Sequence, residues 1–487
     1  MTRINTNVSA LIAQHNLNKS NLDLSQSLQR LSTGLRINRG ADDPAGLIVS
    51  ERLRTEISSV NTAINNIERA SNVISTTEAA LQEINTLLVS IKGLTIEAAN
   101  TGAFSQQEIE ANQLQIDSAV ESISRISNTA SFAGLKLLNG SLDYLTSGVD
   151  ASQISDIHIH GANFGTNSSI PVTVEVLNSA ETAQLFISGN TAGSTGALLS
   201  SVSFEVQGNT GVQVFEFVSG TALSAVVAAI NTTADATGVS ASLVDAADQT
   251  SGMILTSTAY GSDSFVSVRK LEGGDFFQTY DAQGGSAVNR DIGEDVLALV
   301  NGNLAIGDGL DLSLKTSTLN VNMTLTSGAA QTLNTPYSFS VTGGGATYQI
   351  GPEISSSQQV GFGIQSVAAS HLGNRAMGFL NSIVTGGDNS LLTGNARQAS
   401  DIIDASIDQI STLRGRLGAF EKNTLQTTLR STQIALENLT SSESQIRDAD
   451  FAEETSALTR AQILQQAGTS TLAIANHQAS SVLSLLQ

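Results

Sequence analysis

Between Leu53 and Leu88 the apolar residues fall at Leu53, Ile57, Val60, Ile64, Ile67, Ile74, Leu81 and Leu88. That is a repeat of about 3.5 residues, the period of a coiled-coil seam rather than of an ordinary surface helix. A seam of this length needs a facing helix. A second stripe stands far down the chain, at Ile403, Ile410, Leu413, Leu417 and Phe420. Asn100-Thr101-Gly102 ends the first long helix, and a third helix carries Ile109, Ile116, Val120 and Ile123. With 487 residues the chain is too long for one core, so two to four domains are expected.

Each helical zone is broken near its outer end. Leu11 and then Leu17, Leu24, Leu28, Leu31 and Leu35 mark a leucine-bearing helix up to RLSTGLRINRGADDPAGLIVSERLR, residues 30–54. This stretch holds Gly34, Gly40 and one of only 4 prolines. Asp43 before Pro44 predicts a helix start: the carboxylate accepts from orphan N–H groups, and proline has no N–H to leave unpaired. A second break is expected near residues 441–450, SSESQIRDAD. Beyond it Leu472, Ala475, Ala479, Val482 and Leu486 run 3-4-3-4.

From Ala461 to Gln487 there is no Lys, Arg, Asp or Glu. An amphipathic helix without formal charge at a terminus needs a partner, because termini otherwise fray into water. Residues 1–35 are the natural one, so the two ends are expected to pair. A single pair of this size buries too little to stand alone. We therefore expect the paired ends to be buried against further copies of the chain. Closure of all these segments as a four-helix bundle within one chain is compatible with the same pattern, the first break then being a hairpin loop.

The middle, roughly 141–375, changes character. Gly, Ser and Thr clusters separate short alternating runs. Strands are expected near 202–206, 212–217, 239–244, 253–257 and 265–268, with GNTG (208–211) as a turn and a helix near 220–231. The predicted class is therefore α+β and multidomain: long N- and C-terminal helices paired as a coiled coil or bundle, with a β-rich region inserted between them.

Charge and composition exclude several roles. The formal charge is −21, and residues 141–380 hold 20 acidic against 5 basic side chains. That argues against nucleic acid, whose phosphates must be neutralised by Lys and Arg, and against an anionic membrane surface. Zero Cys excludes disulfides, thiolate metal sites and Cys nucleophiles. No run approaches the ~18 apolar residues of a membrane helix. Residues 1–25 contain no unbroken apolar stretch, so no ordinary signal peptide is expected. His158-Ile159-His160 offers two imidazoles on one strand face but no third ligand, so no metal site is expected. There is no HExxH, P-loop or GxSxG, and the GGG at 343–345 reads as a turn. No enzyme activity and no cofactor are expected.

Several motifs resemble bacterial flagellins: INTNVSALIAQHNL, RLSTGLRIN with DDPAGLIVSERLR, TTEAALQEIN, TLRGRLGAFEKN (412–423), and SQIRDADFAEETSALTRAQILQQAGTSTLAIANHQASSVLSLLQ at the end. The likeness covers about 140 residues at the start and about 110 at the end. It implies an inner-tube helical domain (1–44 with 449–487), a coiled-coil domain with β-hairpins (45–165 with 345–448) and a variable β-rich outer domain (166–344). The break at 36–44 would be the spoke between the first two. It further implies a homopolymeric, extracellular filament for motility, exported unfolded through a type III channel. The implied partners are the filament cap, hook–filament junction proteins and a cytoplasmic export chaperone on the C-terminal segment. A junction protein, or a surface adhesin built on the same scaffold, is the alternative. Many flagellins are detected by an innate Toll-like receptor. Aligned on LxEIN…L…AN, the family's key arginine falls at Ser90 and its glutamate near Gln115, while the leucine is kept as Leu94. A weak receptor response is the expectation.

Overall fold

The structure is a computed structural model that describes residues 6–165, 167–188, 196–274, 277–375 and 377–484. Helices occupy both ends of the sequence and strands its middle, an α+β arrangement. Helix α1 (Val8–Thr33) opens on Asn7, whose side-chain oxygen accepts from the Ala10 N–H, and closes on Gly34 at φ +72°. Glycine adopts that left-handed cap without the Cβ penalty other residues meet. Helix α2 (Pro44–Ala99) starts where the sequence places it, with the Asp43 carboxylate accepting from the Gly46 N–H at 2.9 Å. Helix α3 (Gln106–Thr129) opens on a reciprocal capping box between Ser105 and Glu108.

Along α2 buried positions recur at spacings of three and four, at Val60, Ala63, Ile67, Ala70, Ile74, Thr77, Leu81, Ile84, Leu88, Ile91, Thr95 and Ala98, with Val73 and, nearer the helix start, Ser50 buried in addition. Of the apolar stripe in the sequence, Val60, Ile67, Ile74, Leu81 and Leu88 are among these buried positions. Leu53, Ile57 and Ile64 are half-buried. On α3, Ile109, Ile116, Val120 and Ile123 are all buried.

The strand region contains two separate cores. The first lies between a sheet ordered Asn303–Leu304, Leu297–Val300, Ile170–Asn178, Tyr337–Gly344 and β1 (Tyr144–Ser147), and a sheet ordered Ile306–Asp308, Asp311–Lys315, Leu319–Leu325 and β2 (Ile154–Ala162). The second core gathers Leu185, Phe204, Met253 and Leu255 with Val226 and Ile230 of helix α4 (Leu223–Thr232). Here the expected strands appear as Val202–Gln207, Val212–Phe217, Val239–Asp245, Asp248–Tyr260 and Phe265–Gly273. In Val202–Gln207 buried and half-exposed residues alternate, as period-two patterning requires.

The C-terminal zone begins with α5 (Ala396–Phe420), which buries Ile403, Ile410, Leu413, Leu417 and Phe420. A π-turn, Glu421–Leu425, interrupts the helix before α6 (Gln426–Arg447). The π-turn has a geometric cause. Leu413, Leu417 and Phe420 follow three-and-four spacing, but the next buried residue, Leu425, comes five later. Five residues do not return to the same face of an α-helix, whereas a turn closed by i→i+5 bonds accommodates the extra one. The second break is shorter than expected: α6 runs through most of SSESQIRDAD, and only Asp448–Asp450 separate it from α7 (Phe451–Ser484).

The chain resolves into two compact units, Met1–Ser71 with Gln349–Ile354 and Phe420–Gln487, and Asn72–Tyr348 with Ser355–Ala419. Within the first, Arg447 pairs with Glu51 at 2.9 Å and Ser71 Oγ donates to Glu421 at 2.8 Å. Within the second, Arg414 pairs with Glu78 at 2.8 Å, and Lys92 pairs with Asp404. In each unit the partner numbers fall as the α2 numbers rise, so α2 runs antiparallel to the helix it meets. Such half-exposed ion pairs add little energy and mainly fix register.

Candidate assembly interface

Helices α1 and α7 come from opposite ends of the sequence and lie antiparallel. Asn7 Nδ2 donates to the Ala475 carbonyl at 2.8 Å, Gln465 Nε2 to Asn21 Oδ1 at 2.9 Å, and Arg30 Nη1 reaches Glu454 Oε1 at 2.9 Å. The buried seam is made of small residues. On α1 it is Ala13, Ser20 and Ser27, one per heptad; on α7 it is Ala461 and Ala475, with the buried Glu454 one heptad earlier held by Arg30. A Cβ added at Gly468 would stand 3.3 Å from Leu17 Cδ1 and 3.7 Å from its Cα, so α7 packs closely on α1 here.

The leucines of the two stripes, expected to pack in the core of the assembly, flank this seam in the single chain. Leu17, Leu24, Leu31, Leu35 and Leu472 flank the seam half-buried, while Leu11 and Leu28 are 60% and 50% exposed. Leu486 and the side chains of Ala479 and Val482 lie outside the described residues. At about 0.8 kcal/mol per buried methylene, a seam of Ala and Ser supplies few kcal/mol. Meanwhile Ile12, Ile463, Leu464 and Ile474 remain half or more exposed. With Leu11 and Leu28 they leave large apolar side chains in water on both helices.

The two breaks in the helical pattern meet each other. Leu35 and Asp448 form an antiparallel bridge, with the Arg36 N–H donating to the Arg447 carbonyl at 2.7 Å and the Ala449 N–H to the Gly34 carbonyl at 2.9 Å. Ile37, only 1% exposed, anchors the loop. Gly46 is required beneath it: a Cβ there would lie 2.4 Å from Asp43 Oδ2 and 2.7 Å from Ile37 Cδ1. We expect Gly46→Ala to cost about 1–3 kcal/mol, the usual range for overpacking. An unchanged unfolding midpoint by calorimetry would show that the loop relaxes freely.

The Asp42 carboxylate accepts from the Arg39 N–H at 2.8 Å and the Asn38 N–H at 3.1 Å. These backbone donors, with the charges of Arg30 and Arg39, hold its carboxyl below the usual range. The folded-state value is the lower one. Its contribution is therefore present above about pH 4, the ordinary Asp value, and is lost as pH falls through the depressed one. Asp42→Asn should start less stable at neutral pH and lose less on acidification than the parent. Unfolding midpoints measured from about pH 6 to about pH 2 test this, and parallel curves would refute it.

Ser90 and Gln115 are exposed and Leu94 is half-buried. His158 lies in β2, not on an open strand face: its Nε2 is 3.0 Å from Asp156 Oδ2, and its Nδ1 meets the Gln365 amide. Among the described residues no cluster of three or more His, Cys, Asp or Glu is placed to hold a metal ion, and no helix is long and apolar enough to cross a membrane.

Sequence comparison adds three family matches. Residues 4–143 match the bacterial flagellin N-terminal helical region, 400–486 the bacterial flagellin C-terminal helical region, and 202–259 the flagellin hook IN motif. The B-type flagellin of Pseudomonas aeruginosa is 31% identical, with 99% of each chain covered. A flagellin of Escherichia coli is 29% identical over the same shares. The crystal structure of FlgL from Xanthomonas campestris covers 80% of this chain and 99% of its own at 12% identity, with a TM-score of 0.27.

Proposed function

This chain belongs to the bacterial flagellins, and from that premise we propose how its residues build the filament of which such a chain is the structural subunit. The carrying observation is the division of labour on α1 and α7. The small-residue seam is used within the subunit, and the large apolar side chains face outward. Leu11 and Leu28 with Ile463, Leu464 and Ile474 would then be buried by neighbouring copies. Contacts of this kind, repeated between different faces without closing, generate a helical fibre.

In this reading residues 1–44 with 449–487 line the filament, 45–165 with 345–448 form the coiled-coil layer, and 166–344 project outward. That functional division cuts across the two compact units, whose boundaries fall at Ser71 inside α2 and at Phe420 where α5 ends. The seam residues Leu53 to Leu88 and Ile410 to Phe420 hold the coiled coil. An extracellular location follows for a filament subunit. Export as an unfolded chain is supported by the absence of Cys, which leaves no cross-link to undo. The filament cap, the junction proteins and an export chaperone on α7 are the proposed partners. Seeded polymerisation tests the main reading: purified chain added to sonicated filaments should elongate them, and persistent monomer on competent seeds would refute it.

We also propose a weak Toll-like receptor response. At Ser90 a short hydroxyl replaces a planar multi-donor guanidinium, which it cannot mimic, and Gln115 lacks the acidic charge. A reporter-cell response matching that of an Arg-bearing flagellin at equal dose would overturn this.

A further inference from the structure

We propose that the cavity between α5 and β2 binds a small zwitterion, a free amino acid or short peptide with both terminal charges, its carboxylate on Arg416 and its ammonium on Asp143. The cavity holds about 630 Å³, within the range of small-molecule sites. It contains no residue of α1 or α7; apart from Asn322 its lining lies in the stretches 45–165 and 345–448 proposed for the coiled-coil layer, where the filament reading assigns no ligand.

Most of the polar groups lining it are already committed. His158 is held between Asp156 and Gln365. Gln409 accepts from the Gly373 N–H at 3.0 Å and donates to the Gly373 carbonyl at 2.7 Å. Arg375, His371 and Asp408 sit exposed at the rim, where water screens them. Asp143, His160 and Arg416 are different. Arg416 has the Phe362 ring 5.3 Å from its guanidinium carbon, and Asp143 accepts from its neighbour, the Tyr144 N–H, at 2.8 Å. Among the described residues neither charge has an ion-pair partner within 4.0 Å. The His160 ring has no hydrogen-bond partner among them either.

These groups stand in a half-desolvated wall. Burial pushes the Asp143 carboxyl up, against the opposing pull of its own backbone donor and of His158, His371 and Arg416. Burial also holds Arg416 down to about 10 and His160 down to about 3, so the imidazole is neutral. Two opposite charges deprived of water, facing one cavity but not paired with each other, are each stabilised by a ligand that brings both counter-charges. An anion alone satisfies Arg416 and repels Asp143; an amine alone does the reverse. Neutral His160 can donate or accept one hydrogen bond, and Leu413 and Phe379 give an apolar wall for an aliphatic side chain.

Titration calorimetry and thermal unfolding on the full chain, with leucine, glycyl-leucine, acetate and methylammonium at matched ionic strength, test the proposal. We expect heat and a raised unfolding midpoint with leucine or glycyl-leucine, and neither with the two single-charge probes. Whichever zwitterion binds more tightly reports the span between the two charges. Asp143→Asn and Arg416→Gln should each weaken binding at least tenfold, with circular dichroism and seeded assembly unchanged. Should Arg416→Gln misfold, Arg416→Lys, which keeps the charge but not the planar fork, should bind more weakly than the parent. No response to either zwitterion, an equal response to acetate, or full binding by Asp143→Asn would overturn it. Because assembly is read separately, failure here leaves the filament reading standing.

Discussion

A chain lacking residues 453–487 should not polymerise at all, yet should remain soluble with its strand region folded. The deletion removes nearly all of α7, and with it Glu454, Ala461, Ala475 and the exposed Ile463, Leu464 and Ile474. Helix α1 then loses the surface that covers Ala13, Ser20 and Ser27, and Arg30 loses its carboxylate partner. A helix of 26 residues without tertiary support is marginal in water. The second compact unit contains no residue of the deleted segment, and both strand cores lie within it. Sedimentation after seeding should therefore show no pelletable polymer, while amide exchange retains protection in Ile170–Asn178 and Val202–Gln207. Filaments from the truncated chain would sink this account of assembly.

Removing the single residue Asn423 should be nearly as damaging, although its side chain is exposed. Asn423 lies inside the π-turn. Its deletion closes that turn to an ordinary α turn and rotates the following helix by about 100° relative to α5. Leu425, fully buried in the parent, would leave the seam, at a cost of about 1.5–3 kcal/mol for that side chain alone. Thr432 would move off the same face, and Arg447 would swing from Glu51 and from the bridge at Leu35. Asn423→Ala leaves the register intact and should change stability by no more than about 0.5 kcal/mol. Comparing the two by unfolding midpoint and seeded elongation isolates register from side-chain identity. A deletion variant that unfolds and assembles like the alanine variant would show that the π-turn carries no such role.

The helical half of this fold was legible because its signals are local. Asp43-Pro44 announced a helix start, the long apolar stripe announced a seam, and five strands and a helix between 202 and 273 followed from alternation and turn residues. What escaped were the seam positions held by Ala63, Ala70 and Thr77, since small or polar side chains do not register as apolar periodicity. At the contact between the ends the leucines were conspicuous, while the buried positions Ala13, Ser20 and Ser27 carry small side chains that give no apolar signal. The π-turn was written in the five-residue step from Phe420 to Leu425, which reads as a lapse in the pattern until the partner face is known. The first strand core depends on pairing such as Leu319–Leu325 with Ile154–Ala162, which no short window contains. The cavity around Asp143, His160 and Arg416 was invisible for the same reason: three separate segments supply it.

The antiparallel joining of α1 to α7 also works as a test of completeness. The bond from Asn7 to Ala475 spans 468 residues of sequence. Any chain cut short before residue 451, by a translation fault or a protease, presents an α1 with nothing to lie against. On the proposed mode of assembly, such a fragment lacks the composite surface that a neighbouring subunit would recognise. The growing end would therefore reject defective copies with no separate inspector, because only an intact molecule can display both halves of the key.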